Sequence, residues 1–161
     1  SSTLNLVETG LAEVVWDNRG APTPGSSFGS FIVTDEFATR YPEITQQVVD
    51  AYVGAALFAS DEANRQELYD IWALTGAPRE AFARDFDGEL LADRLSPLLD
   101  DFYRANIRAG VDFASSQKLI RQTFEVDEWV DPTFLESALD TLGARDAWTP
   151  RDATGGRKAG S

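Results

Sequence analysis

The sequence predicts an α/β fold that is predominantly helical in this segment. Through the centre of the chain, apolar residues recur every three or four positions, which is the spacing of a helix with one buried face. Two short runs rich in β-branched and aromatic residues, 11–17 and 31–34, predict strands near the start. A hydrophobic content of 43% in 161 residues is sufficient for one packed domain.

The first forty residues combine short elements with a loop. A short helical pattern ends at Gly10, and the predicted strand at 11–17 (LAEVVWD) follows it. Residues 18–30 (NRGAPTPGSSFGS) are rich in glycine, proline and serine, and this composition predicts a loop. The second strand, FIVT at 31–34, leads into a helix that begins DEFATRY. The hydroxyl of Thr34 is suited to cap this helix.

Two helices are predicted in the centre of the chain. Pro42 restarts the helical pattern, which continues to Ala59. Its predicted buried face comprises Ile44, Val48, Ala51, Ala55 and Phe58. Asp61 is a suitable N-cap for the next helix, and Gly76 ends it. Three residues of this second helix share one apolar face: Leu68, Ile71 and Trp72.

The second half of the chain is predicted to be helical as well. One or two short helical segments are interrupted at Gly88, and Ser96–Pro97 then provides a cap and an N1 proline for a long helix. The inner side of that helix is predicted to comprise Leu98, Phe102, Ala105, Ala109 and Phe113. Asp131–Pro132 repeats the cap-and-proline order before a last helix, which stops at Gly143. The tail after Trp148 is predicted to be loose.

The charge balance restricts the possible partners. Fourteen basic and 27 acidic residues give a net charge of −13, which repels polyphosphates, so nucleic acid is not expected as a partner. The first ten residues have neither a basic region nor an apolar stretch, so no signal peptide is predicted within the chain. Because the sequence begins at Ser1 and contains no methionine, we expect a mature or excised segment.

The residue types that the sequence lacks restrict its chemistry. Without histidine and cysteine there is no imidazole general base, thiolate metal site or cysteine nucleophile, and no metal site or cofactor is predicted. A carboxylate-dependent hydrolase stays open as an alternative, with Asp100 and Asp101 or Glu125 and Asp127 as pairs. The same acids also fit a solvated surface. An acidic helical interaction module that binds a basic partner is a further alternative.

The loop GSSFGS contains the candidate anion-binding groups. Ser26, Ser27, Gly29 and Ser30 could present hydroxyl and backbone N–H groups to a small anion. The stretch lacks the glycine-lysine-serine or glycine-lysine-threonine ending of a P-loop, and it does not match a dinucleotide fingerprint. An ordinary polar connection into the strand at 31–34 is the alternative interpretation.

Three blocks of the sequence carry a family resemblance: FIVTDEFATRYPEITQQVVDAYVGAALFA, NRQELYDIWALTGAP and QKLIRQTFEVDEWVDPTFLESALDTLG. In their order and spacing they resemble the C-terminal half of periplasmic substrate-binding proteins of ABC importers, of the aliphatic sulfonate, nitrate and taurine type. The resemblance implies part of a two-lobe, type II periplasmic binding protein-like fold. It implies that residues 1–148 are the C-terminal portion of a solute-binding protein and that 149–161 form a flexible tail.

The resemblance also implies a function without catalysis and without a cofactor. Such a protein captures a small solute, here a sulfonate, nitrate or taurine, by closing two lobes on it, and delivers it to the membrane subunits of an ABC permease. The implied location is periplasmic or extracellular, with membrane association through the transporter. Ser27, Gly29 and Ser30 are the implied ligand-binding residues, because this loop lies near the interlobe connection in similar proteins. The family's N-terminal lobe has no counterpart here, so a missing lobe or a second chain is an implied partner.

Overall fold

The computed structural model describes residues 6–7, 9–15 and 29–158, and this part of the chain is predominantly helical, as predicted. Its helices are α1 (Asp35–Arg40), α2 (Pro42–Ser60), α3 (Arg65–Ala73), α4 (Arg79–Asp85), α5 (Leu91–Arg94), α6 (Asp101–Ser116), α7 (Val126–Trp129) and α8 (Thr133–Thr141), with a 3₁₀ turn at Glu62–Asn64. In the described part of the chain, no helix is both long and apolar enough to cross a membrane.

The two predicted strands do not form in the described residues. Residues 31–34 and 12–15 have no regular secondary structure, and the rest of the first predicted strand, from residue 16, lies outside the description. Within the described ranges, β pairing is limited to an isolated bridge between Arg151 and Arg157. The strand prediction is therefore wrong for these residues. A strand is stabilised by a neighbouring strand, and the described part of the chain supplies none for these apolar runs.

The chain divides into two compact units. The first comprises residues 1–20 and 55–96. Its core contains Leu68, Tyr69, Phe86 and Leu91, and the Trp72 ring packs 5.2 Å from the Phe86 ring. Sequence periodicity predicted Leu68 and Trp72 on the buried face but also Ile71, which is exposed. Tyr69 is buried instead, because Phe86 contacts the side of α3 on which Tyr69 lies.

Arg65 links the segments of this first unit. Its Nη1 donates to the hydroxyl of Tyr69 at 2.7 Å and to the carbonyl of Phe86 at 3.2 Å. Its Nη2 donates to the carbonyl of Glu89 at 2.6 Å and lies 2.7 Å from Glu62 Oε2. The hydrogen bond from Arg65 lowers the pKa of Glu62. One guanidinium thus satisfies two carbonyls that close the turn after α4.

The second unit comprises residues 21–54 and 97–161. One of its buried clusters contains Tyr103, Val126 and Val130, so α6 and α7 share a core. The last helix, α8, buries Leu135, Ala138 and Leu139. Gln46 of α2 donates to the carbonyl of Phe134 at 3.0 Å, which ties α2 to the start of α8.

Several predicted helix ends are confirmed by their hydrogen bonds. The hydroxyl of Thr34 accepts from the N–H of Phe37, and a carboxylate oxygen of Asp61 accepts from the N–H of Ala63. Asp131 accepts from the N–H of Thr133 at 2.9 Å, at the first residue of α8. The predicted stops also have the required backbone conformation, since φ is positive at Gly76, Gly88 and Gly143.

The predicted start of the long helix is wrong. Residues 96–100 are irregular, and α6 begins at Asp101 rather than at Ser96–Pro97. Asp100 is the N-cap, because its carboxylate accepts from the N–H of Tyr103 at 2.9 Å. A charged oxygen is a strong cap at the positive end of a helix. The predicted inner side is correct at Phe102, which is buried, and wrong at Phe113, which is exposed.

The predicted buried face of α2 is also wrong. Ile44, Val48 and Phe58 are exposed, whereas the buried positions of α2 are Thr45 and Val53. Helical periodicity identifies an apolar side of a helix, but it does not say which part of that side the rest of the chain covers.

Candidate functional site

The predicted ligand-binding residues lie in and just after the glycine- and serine-rich loop. Ser27 is outside the described residues, so only Gly29 and Ser30 have a described position. The Oγ atom of Ser30 lies 2.8 Å from the hydroxyl oxygen of Tyr103, which is 73 residues away in sequence. Ser30 is exposed, whereas Tyr103 is only 7% exposed. This hydrogen bond anchors the end of the loop to the first turn of α6.

Tyr103 is itself held in place from two sides. Asp100 accepts its backbone N–H, and its ring packs against Val126 and Val130. The second carboxylate oxygen of Asp100 accepts the backbone N–H of Arg151 at 2.8 Å. Asp100 therefore joins the start of α6 to the C-terminal segment, and the tyrosine hydroxyl is presented at a defined position.

These groups can donate hydrogen bonds to an anion. When Tyr103 donates to Ser30, the hydroxyl proton of Ser30 is directed away from the tyrosine and can be donated to a ligand oxygen. Within the described residues, the backbone N–H groups from Gly29 to Val33 donate to no backbone carbonyl. The space next to the Cα of Gly29 is open, so a ligand can approach the backbone there. Hydroxyl and backbone N–H donors are the groups that bind small oxyanions in proteins.

Two arginines of α6 are paired with an acid of α7. Arg104 donates to Asp127 Oδ1 at 3.0 Å and to the carbonyl of Leu99 at 3.3 Å. Arg108 binds the other carboxylate oxygen of Asp127. The hydrogen bond from Arg108 is the main reason why the pKa of Asp127 is lowered. Both guanidinium groups are thus paired with this carboxylate, whereas the donors at the end of the loop, the Ser30 hydroxyl and the backbone N–H groups, are neutral.

Three of the four acids considered for catalysis have partners as well. Asp101 lies 2.7 Å from the ammonium group of Lys158, and this contact raises the pKa of the lysine. Asp100 is occupied by backbone N–H groups, and Asp127 by two arginines. In the ranges that the structure describes, no group of three acidic, histidine or cysteine side chains could hold a metal ion. The acids of the stretch 122–143 thus include a helix cap, Asp131, and two ion-pair partners, Asp127 and Asp140.

The comparison with solved structures gives a close structural match. The matched crystal structure is named as the periplasmic sulfonate-binding protein SsuA of a sulfonate ABC transporter from Methylobacillus flagellatus KT. The TM-score is 0.68 at 27% sequence identity, covering 73% of this chain and 36% of that chain. The chain has the fold of part of a periplasmic binding protein. No protein-family model matches the sequence.

The characterised proteins whose sequences are similar to this chain are named as enzymes. The chain is 29% identical over 138 residues to the 2'-hydroxybiphenyl-2-sulfinate desulfinases of Rhodococcus erythropolis and Rhodococcus qingshengii. The match covers 84% of this chain and 36% of each desulfinase. The chain therefore spans about a third of the length of these proteins and of the sulfonate-binding protein.

Sequence reasoning predicted Ser30 as a ligand-binding residue and did not connect Tyr103 or Asp100 with it. Tyr103 lies within the helical stretch DFYRAN, where nothing distinguishes it from an ordinary core aromatic residue. Asp100 was considered only as one of two adjacent carboxylates. The signal that connects these residues to the loop is tertiary, because it depends on a hydrogen bond between distant parts of the sequence.

Proposed function

We propose that this chain is part of a solute-binding protein of an ABC importer and that its solute is a small organic sulfur oxyanion, such as an alkanesulfonate. The observation that carries the proposal is the structural similarity to a sulfonate-binding protein over 73% of the chain. The protein would act outside the cytoplasmic membrane, close on the solute, and deliver it to the permease subunits.

The names of the similar proteins favour this class of solute over nitrate. One is named for a sulfonate and the other for a sulfinate, and both groups consist of an anionic sulfur centre with oxygen acceptors on an organic substituent. Taurine belongs to the same class, because it is an aminoalkanesulfonate. Nitrate offers oxygen acceptors but has no organic substituent.

We assign the oxyanion donors to Ser27, Gly29 and Ser30, with Tyr103 as the residue that positions Ser30. Support comes from the 2.8 Å hydrogen bond and from the open space at Gly29. Neutral donors hold a monoanion without burying a compensating charge, which suits a protein that must release its solute. The net charge of −13 does not oppose this, because oriented donors set the potential locally.

Isothermal titration calorimetry tests the assignment. The chain, or a longer polypeptide that contains it, is titrated with methanesulfonate, taurine and nitrate. Ser30→Ala removes one donor and should weaken sulfonate binding by about tenfold, the equivalent of one hydrogen bond to a charged group of about 1.4 kcal/mol. Ser137→Ala, an exposed serine of α8, is the matched control and should leave the affinity unchanged.

Tyr103→Phe separates positioning from direct contact. It retains the ring that packs in the core and removes the hydroxyl that holds Ser30. We expect weaker sulfonate binding without loss of the folded state. Sulfonate binding that is equally strong in Ser30→Ala, Tyr103→Phe and the control would refute this site.

A second candidate is part of an enzyme that acts on an aromatic sulfinate. The 29% identity to the desulfinases favours it. Because this chain has no histidine or cysteine, an acid or base would be a carboxyl or tyrosine group of this chain or a residue of the remaining fold. Release of sulfite from benzenesulfinate by the purified protein would identify this activity. Saturable binding of sulfonates without any sulfite release would support the transport function.

A further inference from the structure

The exposed side of α2 is unusually apolar. Ile44, Val48 and Tyr52 are 48%, 42% and 52% exposed, and Ala51 is exposed beside them. We call these four residues the outer stripe. They are one, three, four, seven or eight positions apart, and at about 100° of turn per residue all four fall within about 100° of one another, on one face of the helix. A contiguous apolar face on the surface indicates a site of contact with another group.

The outer stripe is one half of a wider apolar arc. Successive residues of a helix are rotated by about 100° around its axis. With this rotation, the arc extends from the outer stripe to the buried residues Thr45 and Val53. It covers more than half of the helix circumference. The remaining arc is polar and contains Gln46, Gln47 and Asp50. A helix with so wide an apolar arc fits between two packed layers, and the described residues provide only one of them.

A second observation comes from the segment before α1. Phe31 and Ile32 are exposed, and the N–H groups from Gly29 to Val33 donate to no backbone carbonyl in the described part of the chain. The sequence of this segment is that of a strand. Apolar side chains and available N–H groups together are the features of a segment that pairs with a strand from elsewhere.

We propose that the outer stripe and residues 31–33 form the surface on which the remainder of the binding-protein fold packs. The occupant is an apolar layer with at least one strand, carried on the part of the fold that this chain does not contain. The chain spans 36% of the length of both similar proteins, so each has further polypeptide available for this role. This inference rests on the proposed function, because it takes the occupant to be the rest of the same solute-binding protein.

A second copy of this chain is a poorer occupant. Each copy carries a net charge of −13, so two copies repel one another. The complementary part of the fold can supply both an apolar layer and a strand without bringing two identical acidic chains together.

Site-specific photo-cross-linking in the cells that produce the protein tests this proposal. Benzoylphenylalanine is placed at Val48, in the outer stripe, and at Gln47, its exposed polar neighbour, as the matched control. We expect a several-fold higher yield of cross-linked product from position 48. Mass spectrometry should identify the cross-linked peptide as sequence similar to the part of the sulfonate-binding protein that this chain does not match, on the same or a second polypeptide.

Three results would overturn the proposal: cross-linking of position 48 to a second copy of this chain, to an unrelated protein or lipid, or with no more yield than position 47. The test is independent of solute binding. If the cross-link forms as expected but the assembled protein binds no sulfonate by calorimetry, the interface stands and the proposed solute is wrong. If sulfonate binds but the cross-link fails, the function stands and the interface is wrong.

Discussion

Asp100 accepts two hydrogen bonds from different parts of the second unit, so its removal should be costly. One carboxylate oxygen caps α6 through the N–H of Tyr103, and the other accepts the N–H of Arg151. The substitution Asp100→Ala breaks both hydrogen bonds and leaves both N–H groups without this acceptor. Its neighbour Asp101 provides a matched control, because Asp101→Ala removes only a contact with Lys158 between two exposed side chains.

The expected loss can be worked out from these contacts. Losing a helix cap costs about 1 kcal/mol, within a range of roughly 0.5–2. The hydrogen bond between the N–H of Arg151 and the carboxylate contributes about 1 kcal/mol more. Asp100→Ala should therefore lower the free energy of unfolding by about 2 kcal/mol. The ion pair of Asp101 is exposed and screened by solvent, so Asp101→Ala should have a much smaller effect.

Urea denaturation followed by circular dichroism measures both effects. A loss of about 2 kcal/mol lowers the urea midpoint by roughly 1 M, with the slope of the transition unchanged. Asp100→Asn should recover part of the loss, because its amide oxygen still accepts a hydrogen bond. Equal midpoints for Asp100→Ala and Asp101→Ala would refute the reasoning that Asp100 links α6 to the C-terminal segment.

Three further predictions follow from the packing and the ion pairs. The hydrogen bond with Arg65 lowers the pKa of Glu62, so this pair stabilises the folded protein above the ordinary pKa of 4.5. Its contribution is lost as the pH falls through the lower pKa of the folded state. Glu62→Gln should therefore reduce the loss of stability at acid pH, measured by urea denaturation, and an unchanged acid dependence would contradict the assignment. Val48→Lys, at an exposed position, should change the free energy of unfolding of the isolated chain by less than about 0.5 kcal/mol in thermal unfolding. Val53→Lys places a charge at a position with 0% exposure and should prevent folding in the same assay. Asp131→Ala removes a helix cap and should lower the free energy of unfolding by about 1 kcal/mol. It should leave the sulfonate affinity unchanged in calorimetry. A large loss of affinity without destabilisation would instead assign Asp131 to the ligand site.

The helix ends show how far local sequence can predict structure. Thr34, Asp61 and Asp131 were recognised as caps because a cap binds an N–H only two or three residues away. The start of α6 was missed for a related reason. Ser96–Pro97 and Asp100 are both acceptable starts, and the choice between them depends on what the carboxylate contacts at Arg151.

The candidate site was only partly predictable. The serines and glycines of the loop suggested anion binding from composition, and Ser30 does lie where its hydroxyl is held by another side chain. Tyr103 could not be found in this way, because it has the sequence context of a core residue. The similarity to a sulfonate-binding protein, which bears on function, extends over only 36% of that protein.

By itself, the sequence determined the helical character of the chain, several of its helix ends and the absence of imidazole and thiol chemistry. These properties depend on residue types and on interactions between near neighbours in the chain. Only the tertiary structure decided which half of the apolar arc of α2 is buried and which residue holds Ser30. Both depend on contacts between residues far apart in sequence, and the energy of burial is decided by what covers a surface rather than by how apolar it is.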